Sequence, residues 1–220
     1  AVTYLAFWYG VIVLDRWFAP TAPRINFPLA FLSLNYPVLC YFTSGLETPL
    51  VQVMAVVFAL LVVRPQAWWL QCVAAFAPLV RPELAPPLAL LTLWCWWRLG
   101  SVPRALVYTA FACNGGWLLF RIWYYADLYP NTYYLKNVTD FHQGWVYLKN
   151  AAYPYHYLGI TAVMMVLIGL TPGARRRDAM ACRVMMALLA LLVALYVLKI
   201  GGDARHYRYL AFPLLLLSLS

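Results

Sequence analysis

The sequence runs RRRDAMACRVMMALLALLVALYVLKIGGDARHYR from Arg175 to Arg208. Its middle part, Val184–Ile200, is apolar apart from Lys199, and it approaches the roughly 20 residues that a helix needs to cross a bilayer. Lys and Arg are enriched on the cytoplasmic flank of such a helix, and arginines precede this one. The stretch therefore predicts a membrane helix that begins at the cytoplasmic side and ends at the outer side in a glycine turn.

The composition of the whole chain points the same way. Hydrophobic residues make up 65% and charged residues 10% of the sequence, whereas soluble domains carry roughly 25% charged residues. So few charges cannot cover a water-facing surface, which excludes a soluble globule, and the high hydrophobicity excludes disorder. The excess of 16 Lys+Arg over 7 Asp+Glu is attributed to cytoplasmic loops and membrane lipid, not to nucleic acid.

The rest of the chain contains further apolar segments, about eight in all, some short enough to be tilted or partly inserted. They are Ala1–Leu14, Ile25–Phe42, Pro49–Val63, Ala67–Val80, Leu84–Trp97, Ala105–Tyr124, Tyr157–Leu170 and Val184–Ile200, and a ninth begins near Tyr209. The predicted fold is an all-α polytopic transmembrane bundle that forms a single domain over residues 1–220. Because both ends lie inside apolar runs, we expect a piece of a longer protein, truncated at both ends.

The loops divide into two groups. Arg175–Arg183 is the densest basic cluster and is assigned to the cytoplasm, and alternation places the loops around Arg98–Arg104, Arg64 and Arg16–Arg24 on the same side. The outer side then collects Thr43–Glu47, Arg81–Glu83, Tyr125–Tyr155 and Gly201–Arg208, with most acidic residues and all three His. Titratable groups gathered at one end of an apolar bundle predict a site there. The alternative is that outer loops merely need polar residues.

The outer segment Gly201-Gly202-Asp203-Ala204-Arg205-His206-Tyr207-Arg208 combines a turn with ionisable groups. Two glycines permit a sharp turn. A carboxylate (Asp203), an imidazole (His206) and a fixed cation (Arg208) can together bind a phosphate and assist a proton transfer. The alternative is a helix cap by Asp203, with Arg208 reaching the interface.

A second motif is aromatic. Arg121 ends one apolar segment, and Tyr124 and Tyr125 open a Tyr-rich stretch that contains the turn signal Pro130-Asn131-Thr132 and ends near Lys136. Aromatic rings offer apolar faces to sugar C–H groups, and tyrosine adds a hydroxyl for hydrogen bonding. An ordinary interfacial aromatic belt explains the same pattern about equally well.

Two shorter motifs precede apolar helices. Ser44-Gly45-Leu46-Glu47 comes just before the helix that starts at Pro49, so Glu47 is either a functional carboxylate or a group that stabilises the helix dipole. Arg81-Pro82-Glu83 joins two apolar helices in a tight hairpin. Its alternative interpretation is a surface ion pair, which contributes little.

In this order the four motifs resemble the GT-C superfamily of membrane glycosyltransferases, and in particular the terminal β-arabinofuranosyltransferases of actinobacterial cell walls. Ser44–Glu47 matches the family's Ser-Gly-Leu-Glu, and Arg81–Glu83 matches its Arg-Pro-Glu. Arg121–Tyr125, with Pro130–Thr132 and Lys136, matches its Arg-x-x-Tyr-Tyr-Gly with Pro-Asn-Thr and Lys. Gly201–Arg208 matches its Gly-Gly-Asp-x-x-His-x-Arg. Their order and spacing agree across nearly the whole chain.

The resemblance implies a GT-C-like fold and an enzyme of the bacterial inner membrane. Its reaction would move a sugar from a polyprenyl-phosphate donor to a glycan acceptor of the cell envelope, with the active face toward the periplasm or outside. Asp203 and His206 are the implied catalytic residues. Substrate binding is implied for Ser44, Glu47, Arg81, Glu83, Arg121, Tyr124, Tyr125, Asn131, Thr132, Lys136 and Arg208.

This sequence also departs from the family pattern. The family usually has Gly where Ala126 stands, a Phe-Met pair where Ala204 and Arg205 stand, and often Gly in place of Tyr207. These differences bear on the identity of the sugar. The family's key acidic residue lies in a first outer loop, and we expect that loop upstream of Ala1.

Two other functions remain open for the same residues. A transporter or flippase for lipid-linked sugars would use the same aromatic and cationic groups, although internal repeats and broken helices are not clear in this sequence. A non-catalytic membrane subunit would retain the scaffold alone. No metal ligands are predicted, since the three His are scattered; a divalent cation, Mg²⁺ or Mn²⁺, is compatible with the chemistry as the cofactor.

Overall fold

In the computed structural model, the residues that the structure describes are 7–13, 48–127, 140–152, 174–202, 208–210, 212–213 and 215–216. This part of the chain consists of helices and turns and contains no β-strand, which confirms the all-α prediction there. Its helices are α1 (residues 7–13), α2 (Thr48–Val63), α3 (Trp68–Ala74), α4 (Ala77–Val80), α5 (Ala85–Leu99), α6 (Arg104–Tyr125), α7 (Phe141–Ala152) and α8 (Ala174–Ile200). Short 3₁₀ turns lie at Pro82–Leu84 and Arg208–Leu210.

Most predicted segments that the structure describes agree closely with these helices, and two differ. The predicted segment Ala67–Val80 is split into α3 and α4, because Pro78 lacks a backbone N–H and fits only in the first turn of a new helix. Helix α8 begins ten residues before the predicted Val184, since its Arg- and Ala-rich start favours helix as strongly as the apolar part does. Ile25–Phe42 and Tyr157–Leu170 lie outside the described residues.

Two helices in the described part are long and apolar enough to cross a membrane, Arg104–Tyr125 with 22 residues and Asp178–Ile200 with 23. At about 1.5 Å per residue, each reaches the ~30 Å thickness of a hydrocarbon core. The apolar helices Thr48–Val63 and Trp68–Val80 are shorter. The larger number of spans stays a prediction.

Helix α2 forms the centre of the bundle, with most of its side chains buried and with α3, α5 and α8 packed around it. Its Val62 carbonyl accepts a hydrogen bond from Trp94 Nε1 at 3.0 Å and a longer one from Cys182 Sγ at 3.8 Å. Trp94 lies late in α5, whereas Cys182 lies early in α8. Therefore α2 and α5 run in the same direction and α8 runs against them.

This arrangement gives the bundle two distinct ends. Arg98 at the end of α5 forms an ion pair with Asp178 at the start of α8, and Arg64 follows α2 at the same end, which we call the basic end. The turn Pro82–Leu84 immediately precedes α5 and contacts α8. Because α5 and α8 run in opposite directions, this turn lies at the other end of the bundle, which we call the site end. The predicted grouping of the basic loops agrees with this arrangement for the described residues. The side of a membrane that each end faces stays a prediction.

Candidate functional site

The C-terminus of α8 forms the predicted glycine turn. Gly201 and Gly202 both have positive φ angles, +81° and +85°. The Gly202 N–H donates to the Val197 carbonyl at 3.2 Å, the bond that closes a helix with a left-handed residue at its end. Glycine suits both positions because a side chain would strain this backbone conformation. The sequence prediction of a sharp turn after the apolar stretch is confirmed.

Helix α7 packs directly against this turn. A Cβ atom at Gly202 would overlap the ring of Tyr147, and one at Gly144 would overlap the backbone of Leu198. The two glycines therefore allow α7 and the end of α8 to approach closely. At Gly201 the nearest atoms belong to Asp140 and Gln143, at ordinary contact distance.

Sequence reasoning did not predict α7, and treated residues 125–155 as one outer segment. The signal was present in the residues that start the helix. Asp140 Oδ1 accepts a hydrogen bond from the Gln143 N–H at 2.9 Å, which is the usual N-cap interaction. Phe141, Trp145 and Leu148 then follow at helical spacing. Gly144 interrupts this apolar spacing, because it contacts α8 without contributing an apolar side chain.

The Arg81-Pro82-Glu83 turn is buried at the same end of the bundle. Arg81 Nε lies 2.9 Å from Glu83 Oε1, and both residues are more than nine-tenths shielded from solvent. The interpretation of this motif as a surface ion pair is therefore wrong, because the turn packs between α4, α5 and α8. The contact is ionic and not a well-aligned hydrogen bond, since Glu83 Oε1 accepts no hydrogen bond from the described residues.

Arg81 also connects two motifs that are far apart in the sequence. Its guanidinium carbon lies 4.2 Å from the ring centroid of Tyr209, within the range of a cation–π interaction. Tyr209 is buried and directly follows Arg208, the last residue of the Gly-Gly-Asp motif. Sequence reasoning missed Tyr209, and no sequence signal identifies a ring that stacks on an arginine so distant along the chain.

The aromatic motif lies elsewhere, on an exposed face at the end of α6. Tyr124 and Tyr125 are exposed and touch each other edge-to-face at 4.7 Å, while Tyr124 stacks on Phe120 at 5.6 Å. Arg121 is half-buried in the same helical turn. Within the part of the chain that the structure describes, no hydrogen bond, ion pair or ring contact joins Arg121, Tyr124 or Tyr125 to the Arg81 cluster.

Ala126 follows the last residue of α6 and has a φ angle of +52°. The Ala126 N–H donates a hydrogen bond to the Ile122 carbonyl at 3.1 Å. This is the left-handed conformation that glycine adopts without strain. The position is the one where the resembled family usually has Gly. In this chain alanine holds that conformation.

The remaining predicted site residues lie outside the described residues, namely Ser44, Glu47, Asn131, Thr132, Lys136, Asp203 and His206. The backbone of Arg208 begins the turn Arg208–Leu210. Among the residues that the structure describes, no three His, Cys, Asp or Glu side chains are grouped to hold a metal ion. A site for Mg²⁺ or Mn²⁺ stays a prediction.

A comparison with known proteins finds one relationship. The chain is 31% identical over 195 residues to the terminal β-(1→2)-arabinofuranosyltransferase of Corynebacterium glutamicum. The match takes in 78% of this chain and 26% of that protein, so the chain spans about a quarter of the relative's length. This similarity supports an arabinofuranosyltransferase-like relationship. No protein-family profile matches the chain, and no solved structure matches it.

Proposed function

We propose that this chain is part of a membrane glycosyltransferase that moves a sugar from a polyprenyl-phosphate donor to a cell-envelope glycan at the outer face of the bacterial inner membrane. One structural observation carries the proposal. The Arg81-Pro82-Glu83 turn and the two flanks of the Gly-Gly-Asp-x-x-His-x-Arg motif meet at one end of the bundle. The similarity to a terminal arabinofuranosyltransferase supports the same chemistry and makes an arabinofuranosyl donor the first to test.

The reaction would be a displacement at the anomeric carbon of the donor sugar. An acceptor hydroxyl forms the new C–O bond while its proton passes to a carboxylate. The bond between the anomeric carbon and the phosphate oxygen breaks, and polyprenyl phosphate leaves with its electron pair. Asp203 would assist the proton transfer, and Glu47 would orient sugar hydroxyls.

The negative charge that develops on the leaving phosphate requires cations, since fixed positive groups lower such a barrier. His206, Arg208, Arg121 and Lys136 are the groups that we assign to this role. Tyr124 and Tyr125 would line the sugar groove with Asn131, Thr132 and Ser44. The energy for transfer is already present in the phosphodiester of the donor. A bound divalent cation would add charge stabilisation at the phosphate.

The test is a turnover assay on the full-length protein in nanodiscs. Polyprenyl-phosphate arabinofuranose and a glycan acceptor are supplied, and release of lipid phosphate is measured together with acceptor extension. We expect turnover to fall by about 100-fold or more in Asp203→Asn and in His206→Gln, in the range of lost general acid–base catalysis. The matched control is Asp178→Asn, which removes a carboxylate at the basic end and should keep activity.

Two results would contradict the proposal. Saturable binding of the lipid-linked sugar without turnover of any such donor would favour a transporter or a non-catalytic subunit. Turnover that survives both Asp203→Asn and His206→Gln would place the chemistry elsewhere in the protein.

A further inference from the structure

We infer that Tyr209 is a positioning residue for the proposed transfer: through its contact with the buried Arg81–Glu83 pair it holds the chain that follows His206 and Arg208. The inference rests on the proposed function. Tyr209 is assigned no contact with substrate. Its effect would reach the reaction only through the position of the residues that precede it.

Arg81 is held in a fixed position. Its charge is shielded from solvent, and Glu83 neutralises it at 2.9 Å. Moving Arg81 would leave the carboxylate of Glu83 buried without a countercharge, which is strongly unfavourable. The guanidinium therefore has a fixed position, and another side chain can pack against it.

Tyr209 packs against this guanidinium. The 4.2 Å separation of the Arg81 guanidinium from the Tyr209 ring lies well inside the ~6 Å limit of a cation–π interaction. Both partners are buried, and such contacts are stronger when they are desolvated. The chain beyond Tyr209 also enters the core, where Phe212 packs edge-to-face against Phe58 of α2 with ring centroids 5.7 Å apart. The downstream flank of the motif is thus held at two points.

The chain that precedes Asp203 is also held in place. Gly202 is held by its hydrogen bond to Val197 and by the ring of Tyr147, which leaves no room for a side chain there. Asp203 is joined covalently to Gly202, and His206 precedes Tyr209 by three residues. Gly202 and Tyr209 are seven positions apart in the sequence, so the chain between these two anchored residues can reach only a limited distance from either of them. A displacement of about 1 Å at a reacting group can cost roughly 100-fold in rate.

The experiment compares kcat and KM of the wild-type protein with those of Tyr209→Leu, Tyr209→Phe and Trp94→Leu in the same assay. Tyr209→Leu removes the ring, and we expect kcat to fall about tenfold or more while KM changes less than threefold. Tyr209→Phe keeps a ring over Arg81 and should restore most of kcat. This split between kcat and KM, and the rescue by Phe, would not arise from a general loss of folded protein.

Trp94→Leu is the matched control for stability. Trp94 lies beneath Arg98 at 5.7 Å at the basic end and also donates a hydrogen bond to Val62. Its loss should destabilise the protein at least as much as Tyr209→Leu, yet leave the kcat of the folded fraction unchanged. Thermal denaturation in detergent measures the folded fraction of each variant.

The inference is overturned if Tyr209→Leu keeps its kcat, if Trp94→Leu lowers kcat equally, or if Tyr209→Phe is as impaired as Tyr209→Leu. These results are distinct from failure of the proposed function. If the wild-type protein turns over no donor, both proposals fall. If the wild type is active and Asp203→Asn is not, an unchanged kcat in Tyr209→Leu overturns the positioning role alone.

Discussion

Two arginines at opposite ends of the bundle have nearly the same neighbours but very different surroundings. Arg81 and Arg98 each lie 2.9 Å from a carboxylate and within 6 Å of an aromatic ring. The side chains of Arg81 and Glu83 are 8% and 7% exposed, whereas those of Arg98 and Asp178 are 26% and 62% exposed. Equal distances therefore describe two different interactions, because the surrounding medium decides how much each charge depends on its partner.

The difference indicates what each cluster does. An exposed pair contributes little and is screened by salt, so Arg98–Asp178 is an ordinary link between the ends of α5 and α8. A buried pair has a large desolvation cost and seldom improves stability over apolar residues of the same shape. The buried pair is in contact with Tyr209, and the positioning role that we propose for Tyr209 uses this contact.

The largest expected difference in the free energy of unfolding is between two single variants, each of which removes one carboxylate charge at one end of the bundle. Glu83→Gln should lower the free energy of unfolding by about 3–5 kcal/mol, because it removes one charge of a buried ion pair. Asp178→Asn should lower it by at most about 1 kcal/mol, because solvent already screens that pair. Denaturant titration in detergent measures both. Equal losses in the two variants would show that burial does not separate the clusters.

The glycine turns at the two ends provide the next comparison. Gly100 ends α5 with a φ angle of +64° and has no atom within 4 Å of a Cβ position, whereas a Cβ at Gly202 would overlap Tyr147. Gly100→Ala should cost about 1 kcal/mol for the backbone alone. Gly202→Ala should cost about 2–4 kcal/mol, since overpacking adds to the same backbone term. The same titration measures both, and similar costs would mean that α7 is not closely packed on the turn.

The end of α6 tests the free-energy cost of a left-handed backbone conformation without any overpacking. Here we expect the substitution to stabilise the protein. Ala126 holds a left-handed conformation at the end of α6. Ala126→Gly should raise the free energy of unfolding by roughly 0.5–1 kcal/mol, because it removes the Cβ strain at some cost in the entropy of the unfolded chain. Gly116→Ala, inside α6 with open space around it, is the control for exchange between these residues. A destabilised Ala126→Gly would contradict the left-handed cap.

The smallest effect is the response of the two ion pairs to salt. The Debye length falls from about 10 Å at 0.1 M to about 3 Å at 1 M salt. The loss caused by Asp178→Asn should shrink by a few tenths of a kcal/mol over this range, while the loss caused by Glu83→Gln should not change. Repeating the titrations at both salt concentrations measures this. A salt-sensitive Glu83→Gln would place that pair in contact with solvent.

Much of the helical architecture could be predicted because its signals are local. The apolar runs that became α2, α5 and α6 ended within about two residues of their predicted bounds, which is the accuracy that element boundaries allow. The break before α4 follows from Pro78, a residue that should have divided the predicted segment. Helix α7 was missed because its contact with α8 uses Gly144, where the apolar pattern lapses.

The candidate site was predicted only in part. The prediction of a glycine turn after α8 is confirmed, because positive φ angles depend on the local backbone and glycine adopts them without strain. The burial of the Arg81–Glu83 pair was not predicted, and a surface ion pair stayed open as the alternative, because a short polar motif between two apolar helices gives no information about what packs over it. Tyr209 was missed for the same reason, since its partner belongs to a distant turn.

The sequence alone determined where α2, α5 and α6 run and where α8 turns, because hydrophobic spacing and glycine act on the backbone within a few residues. The tertiary structure alone decided which of two similar arginine–carboxylate pairs is buried and that the ring of Tyr209 packs on the guanidinium of Arg81. Burial depends on what packs over a group from elsewhere in the chain. The contribution of the Arg81 and Arg98 ion pairs to stability therefore depends on the assembled bundle and not on the neighbouring residues in the sequence.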